Sequence, residues 1–334
     1  MTAASDSPAQ VVAPLPTWLL PGWQKLCWAL DLNRVAHGLL VHGPRGIGKQ
    51  LLAEHYAARL LCRDAKADQT ACGRCAGCAL RAAGNHPDYF RLAILEDKQS
   101  IGIDQIRDLS GRLSQSAHRA GFRAVIIEPA EAMTLPAANA LLKTLEEPGA
   151  AIVLILVAHQ LERLPATIRS RCQRLPLAAP DPAAAMTWLQ QQHPEQGAPR
   201  LHQALLLASG APLRVAALLA QDALAQVDAL EKGMLAVARG ELTPVQLASS
   251  QADMTLALHQ LQRIAARGLQ KSLNGESKMP AATWDRFVGT VLEAMRAWRI
   301  NPALHPQTLL ESVLIQWFDF TVGMRHSKTA VTKR

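Results

Sequence analysis

Aromatic residues make up only 4% of this 334-residue sequence, with two tyrosines and five phenylalanines, and charged residues stop at 19%. The hydrophobic share of 49% therefore rests on aliphatic side chains, a balance that suits a soluble, Ala/Leu-rich, mostly helical protein and excludes a disordered one. No apolar run reaches the ~20 residues needed to cross a bilayer, and the opening MTAASDSPAQ lacks the basic-then-apolar order of a signal peptide. A cytoplasmic location is expected. Also missing is a pair of metal-binding carboxylates in a polymerase-like setting, so the chain itself is not expected to polymerise nucleotides.

What is present exceeds the size of a single core, and two or three domains are expected. The formal charge of +8 favours polyanions or acidic partner surfaces, although many soluble proteins of this size are equally basic without a specific reason. Of the six cysteines, Cys27 and Cys172 stand alone, while Cys62, Cys72, Cys75 and Cys78 form C-x9-C-x2-C-x2-C. In a reducing compartment that clustering argues for metal over disulfides. Four thiolates close a tetrahedral structural zinc site and leave no open position for catalysis, and Gly73 and Gly77 supply backbone freedom for the knuckle.

Along the chain, residues to Pro21 read as a loose tail, followed by a helix over 23–32 in which Trp23 and Trp28, with Trp18 before them, pack a core edge. Strands are expected at 38–42, 89–93, 124–128, 152–158 and 173–175, with helices at 49–61, 105–117 and 137–147. Runs such as AVII and IVLILV suit strands buried on both faces, and helical connections point to a parallel sheet covered on each side. The fold class is thus α/β plus all-α. An α/β domain spans 1–175, a small helical domain follows LPLAAPDP over 176–221, and a third, all-helical domain fills 222–334 with a basic tail that frays.

GPRGIGKQ, residues 43–50, follows a strand and opens a helix, matching G-x-x-x-x-G-K-[ST] at Gly43, Gly48 and Lys49 and departing at the last position. The loop amides and Lys49 suit phosphates at a helix N-terminus, but Gln50 lacks the hydroxyl that binds Mg²⁺. A strand carrying the second metal-holding acid ends in Glu128, and Pro129 offers no carboxylate where a water-positioning base belongs. Three readings stand: a phosphate-free structural turn, a cradle that binds nucleotide without turning it over, and a site competent for hydrolysis, which Gln50 and Pro129 disfavour. After the strand at 152–158 comes TIRSRC, residues 167–172, with Arg169 and Arg171. An arginine delivered in trans stabilises charge on a neighbour's γ-phosphate. On its own, a surface arginine is more often solvated or ion-paired.

The order GPRGIGK, the cysteine cluster, HPDYFRL, IGIDQIRDL, AANALLKTLEEP and IRSRC resembles the bacterial clamp-loader proteins, specifically their delta-prime family, over residues 37–175; beyond them only length and helical character agree. The resemblance implies an AAA+ domain with an embedded zinc module, a helical lid and a C-terminal domain in a five-subunit collar. It makes Arg171 the finger for an adjacent motor subunit and gives Ser170 and Cys172, with Arg169 beside them, an interface role. It leaves Gly43, Gly46, Gly48 and Lys49 as a degenerate nucleotide loop, with Glu128 a partial match. Arg214 resembles the lid arginine that touches nucleotide in active relatives, or else is an ordinary exposed first-turn residue. The implied partners are the gamma/tau motor subunits and the delta subunit in a hetero-pentamer, the sliding clamp, and primer–template DNA through the complex. Two rivals are an autonomous AAA+ ATPase such as the motor subunit, disfavoured by Gln50 and Pro129, and a zinc-dependent DNA-binding protein, disfavoured because no aromatic residues interleave with Arg74, Arg81 and the other basic residues of the cluster.

Overall fold

The computed structural model describes residues 14–114, 121–149, 151–220, 223–251, 254–277, 279–301 and 304–331, which gather into two compact units, Met1–Val215 and Ala216–Arg334. In the first, β1 (Gly38–His42), β2 (Tyr89–Leu92), β3 (Arg123–Ile127), β4 (Ile152–Ala158) and β5 (Gln173–Pro176) form one parallel sheet in the order β2-β3-β4-β1-β5. Every residue of β3 and β4 is buried, as continuous aliphatic strands covered on both faces require. The register pairs Gly38 with Leu154 and Ala124 with Val153. It aligns the carboxyl ends of β1, β3 and β4, the side on which open α/β sheets bind ligands.

Helices α1 (Leu20–Asp31), α2 (Lys49–Leu61), α3 (Ala76–Ala82), α4 (Ile103–Ser114), α5 (Leu135–Glu146) and α6 (Ala166–Arg171) accompany the sheet, and α7 (Pro182–Gln192), α8 (Ala198–Leu207) and α9 (Pro212–Ala220) follow it. Start signals are local and chemical. Thr134 Oγ1 accepts from the Ala137 amide ahead of α5, and Asp181 accepts from Ala183 and Ala184 ahead of α7, each with proline in the first turn. The second unit is all helical: α10 (Ala223–Arg239), α11 (Pro244–Ser249), α12 (Met254–Leu273), α13 (Ala281–Ile300) and α14 (Pro306–Val331). They close on Phe287, Val291, Leu314 and Trp317. Among the described residues no single helix is long and apolar enough to cross a membrane.

Three expectations change, and a fourth is left partly outside the described residues. The segment before Pro21 is not loose over its last residues: Thr17–Leu19 forms a 3-10 turn and Leu19 is fully buried. Trp28 lies 66% exposed, whereas Trp23 is buried. Helix α4 is described as far as Ser114, and the expected residues 115–117 fall outside those described. The basic C-terminal segment continues α14 as far as Val331.

Candidate functional site

Gly43, Gly46 and Gly48 all take positive φ as the chain turns from β1 into α2. At two of them the constraint is contact as well as conformation. A Cβ on Gly46 would lie 2.3 Å from Cγ of Arg214, whose aliphatic stem rests on the loop, and the Leu213 amide donates to the Gly46 carbonyl at 3.1 Å. A Cβ on Gly48 would lie 2.8 Å from Leu19, and the Trp18 indole donates to the Ile47 carbonyl at 2.8 Å. The loop is thus braced by Arg214 and by the chain just before α1. Lys49 is 3% exposed, its Nζ donates to the Pro44 carbonyl at 2.5 Å, and burial lowers its pKa to about 8.

Next to it, Gln50, Glu128 and Arg91 meet one another. With its amide oriented to satisfy both neighbours, Gln50 donates to Oε2 of Glu128 at 3.2 Å and accepts from Nη2 of Arg91 at 2.5 Å. Arg91 stands 3.9 Å from Glu128 and 3.9 Å from Glu54, and the Tyr89 hydroxyl donates to Glu54 at 2.7 Å. Burial raises the Glu128 pKa, against the pull of Arg91 and Lys49. A carboxamide, one carboxylate and a guanidinium do not make the hard oxygen set that Mg²⁺ demands, so the residues present do not fit that ion. Both oxygens of Glu131, two residues past Pro129, accept from the His159 amide at 3.0 and 3.1 Å. His159 borders a cavity of about 520 Å³ with Arg45, Glu131 and Arg163, and burial, then Lys49 and Arg45, lowers its pKa to about 4.

The four clustered cysteines meet at the C-terminal end of α2 and along α3. Their Sγ atoms all lie within 4.8 Å of one another, with Cys62 to Cys75 and Cys72 to Cys78 each 3.9 Å. A tetrahedral ion with ~2.3 Å metal–sulfur bonds places sulfurs at about that separation. Amides of Cys72, Arg74 and Cys75 donate to cluster sulfurs, which favours thiolates. Burial alone raises the Cys75 thiol, but the Cys78 and Arg63 amides overcome it and bring it to about 6. Gly77 is required by contact, since a Cβ there would meet the Leu61 carbonyl at 2.4 Å. The cluster suits a metal ion.

The Ser-Arg-Cys corner closes α6. Ile168 and Cys172 are buried, Cys172 beside Gly38, and burial raises its thiol to about 11. Ser170 and Arg171 face outward: Arg171 is 38% exposed, pairs with Glu146 of α5 at 2.5 Å and donates to the Thr167 carbonyl at 3.1 Å. Ser170 Oγ donates to that same carbonyl at 3.0 Å. Arg169 turns inward, its Nε buried with no hydrogen-bond partner among the described residues.

Residues 22–181, which carry the loop, the cluster and this corner, match the family model described as DNA polymerase III, delta subunit. The chain is 42% identical over 238 residues to DNA polymerase III subunit delta′ of Pseudomonas aeruginosa, covering 71% of this chain and 72% of that one. It belongs to the DNA polymerase III delta-prime family. The Escherichia coli K12 delta′ subunit is 38% identical over 205 residues, 61% of each chain. A solved gamma subunit-related protein from Thermotoga maritima overlaps with a TM-score of 0.47 at 18% identity, covering 89% of this chain and 99% of that one.

In this delta-prime chain the structure brings Gly43, Gly46, Gly48, Lys49, Glu128 and Arg214 to one loop and gathers the four cysteines. It sets Arg171 and Ser170 apart from Arg169. Sequence reasoning missed Arg91, Glu54 and Glu131, although Arg91 stands in the quoted HPDYFRL; a charged residue on a short sheet strand is the signal that was there to be read.

Proposed function

We propose that this delta-prime chain is a stationary, non-hydrolysing subunit of a clamp loader that lends Arg171 to an ATP site on an adjacent subunit. The observation that carries the reading is a contrast within one domain. An arginine stands outward at the end of α6, while the chain's own loop has Gln50, Pro129 and the Arg91 guanidinium where metal and base would act. Ser170 and Cys172 shape the corner, one at its surface and one beneath it, with Arg169 beside them in the interface segment. The degenerate loop then serves as a brace under the lid arginine Arg214. The organisation is a sheet domain to about residue 175, a lid over 176–221 and a collar domain over 222–334. Zinc in the four-cysteine cluster is structural. The partners are the gamma/tau motor subunits and the delta subunit, together acting on the sliding clamp at primed DNA, and the location is the cytoplasm.

The test is to assemble the complex with Arg171→Ala and measure clamp-dependent ATP turnover. A loss of roughly tenfold or more at the affected site is expected, given what trans-acting arginines contribute to phosphoryl transfer. Unchanged turnover in an intact complex refutes the finger, and Lys49-dependent ATP hydrolysis by the purified chain alone would favour the motor-subunit reading.

A further inference from the structure

The arginine at the end of α6 is held from two sides, and the hold begins in the packing beneath it. Leu141 and Leu145 of α5 are buried, as are Ile168 of α6 and Cys172 just past its end, so each segment turns residues four apart toward the core. The two ends meet over Gly38 of β1. A Cβ on Gly38 would lie 2.8 Å from Cδ2 of Leu145, 3.2 Å from Sγ of Cys172 and 3.3 Å from the Arg171 carbonyl. With Leu145 and Cys172 seated on one strand residue, their chain neighbours Glu146 and Arg171 come out side by side at the rim.

There the guanidinium donates through Nη2 to Oε1 of Glu146 at 2.5 Å and through Nη1 to the Thr167 carbonyl at 3.1 Å. Different nitrogens take the two contacts, so the planar fork is fixed in direction and its remaining N–H groups are left for another acceptor. Glu146 is the last residue of α5, where the negative end of the helix dipole also favours a cation. Both side chains are partly open to solvent, and a pair of that kind contributes little to stability. Its consequence is orientation, because a free arginine spreads over many rotamers and a doubly anchored one does not.

We infer that Glu146 is a positioning residue for Arg171, a role that rests on the finger reading above: its carboxylate fixes the guanidinium so that the unused N–H groups are presented to the phosphates of the adjacent subunit's nucleotide. What Glu146 supplies is an acceptor oxygen. Its negative charge is a cost, since it stands beside a cation meant to meet phosphate. Glutamine keeps the acceptor without the charge, and alanine removes both.

The test uses assembled complexes matched for subunit content, with kcat and KM for ATP measured in clamp-dependent turnover for Glu146→Gln, Glu146→Ala, Arg171→Ala and the double alanine variant. Glu146→Ala is expected to lower kcat at the affected site about three- to tenfold with KM for ATP nearly unchanged, since orientation acts on the transition state more than on nucleotide binding. Glu146→Gln is expected to stay within roughly twofold of the parent kcat, and the melting temperature of each free chain to hold. With Arg171 already alanine, Glu146→Ala is expected to cost nothing further, a coupling that a merely structural role would not produce. Parent-like turnover in Glu146→Ala beside a loss in Arg171→Ala overturns the positioning role and leaves the finger standing. So does a further loss in the double variant, a glutamine variant as slow as the alanine one, or a rise in kcat on removing the carboxylate, which would make Glu146 a latch. Unchanged turnover with Arg171→Ala in an intact complex overturns finger and positioning role together.

Discussion

Replacing Arg91 with alanine tests whether a guanidinium has taken over a cation's work. At 3.9 Å from Glu54 and 3.9 Å from Glu128, each attraction has a gross worth of about 4 kcal/mol at an effective dielectric near 20. Arg91 is 44% exposed, so solvent screening and the desolvation of both acids cut the net to roughly 1–3 kcal/mol. For a domain of this size that is a drop in Tm of about 2–4 °C per kcal/mol.

The loss must also depend on pH. Glu128 already has its folded pKa raised by burial, and removing the cation raises it further. A raised carboxyl binds more protons folded than unfolded, so its penalty is absent below the unfolded value near 4.5 and grows as pH rises through the folded value. Arg91→Ala should therefore melt well below the parent at pH 7 and close to it at pH 4.5, while Arg91→Lys retains part of the difference. The assay is thermal unfolding followed by circular dichroism across that range. An alanine variant that melts with the parent at pH 7, or that loses as much at pH 4.5 as at pH 7, refutes the reasoning.

Two further outcomes follow from the same geometry. Cys75→Ser should lower the metal content of the purified chain from about one ion and expose α3 to proteolysis, since three ligands no longer close the site; full metal content in the variant refutes the cluster. His159 has its pKa lowered to about 4, so the unfolded chain binds the extra proton and stability should fall as pH drops from about 6.5 toward 4; His159→Gln should flatten that slope in acid melts, and an unchanged slope places the proton elsewhere.

Legibility in the sequence followed the range of the forces involved. The turn from β1 into α2, the seven buried residues of β4 and the cysteine spacing are set by neighbours in the chain, and each was found where its pattern put it. Arg91 owes its role to Glu54 and Glu128, each 37 residues away, and no local period reports such a meeting. Leu19 is similar: in an Ala/Ser/Pro-rich opening it reads as tail, yet it is fully buried, and the neighbouring Trp18 indole is fixed by a carbonyl 29 residues on. Trp28 failed in the opposite sense, because an apolar residue at helical spacing is not obliged to find cover.

The burial of Cys172 has a practical side. Its thiol and that of Cys27 are both pushed up to about 11, so at neutral pH they stay protonated and slow toward alkylating reagents. Once the other four sulfurs hold their ion, the native chain offers little competing nucleophile. A cysteine placed at the exposed Ser170 would then accept a fluorophore or a crosslinker selectively, next to Arg171, with every native thiol left in place.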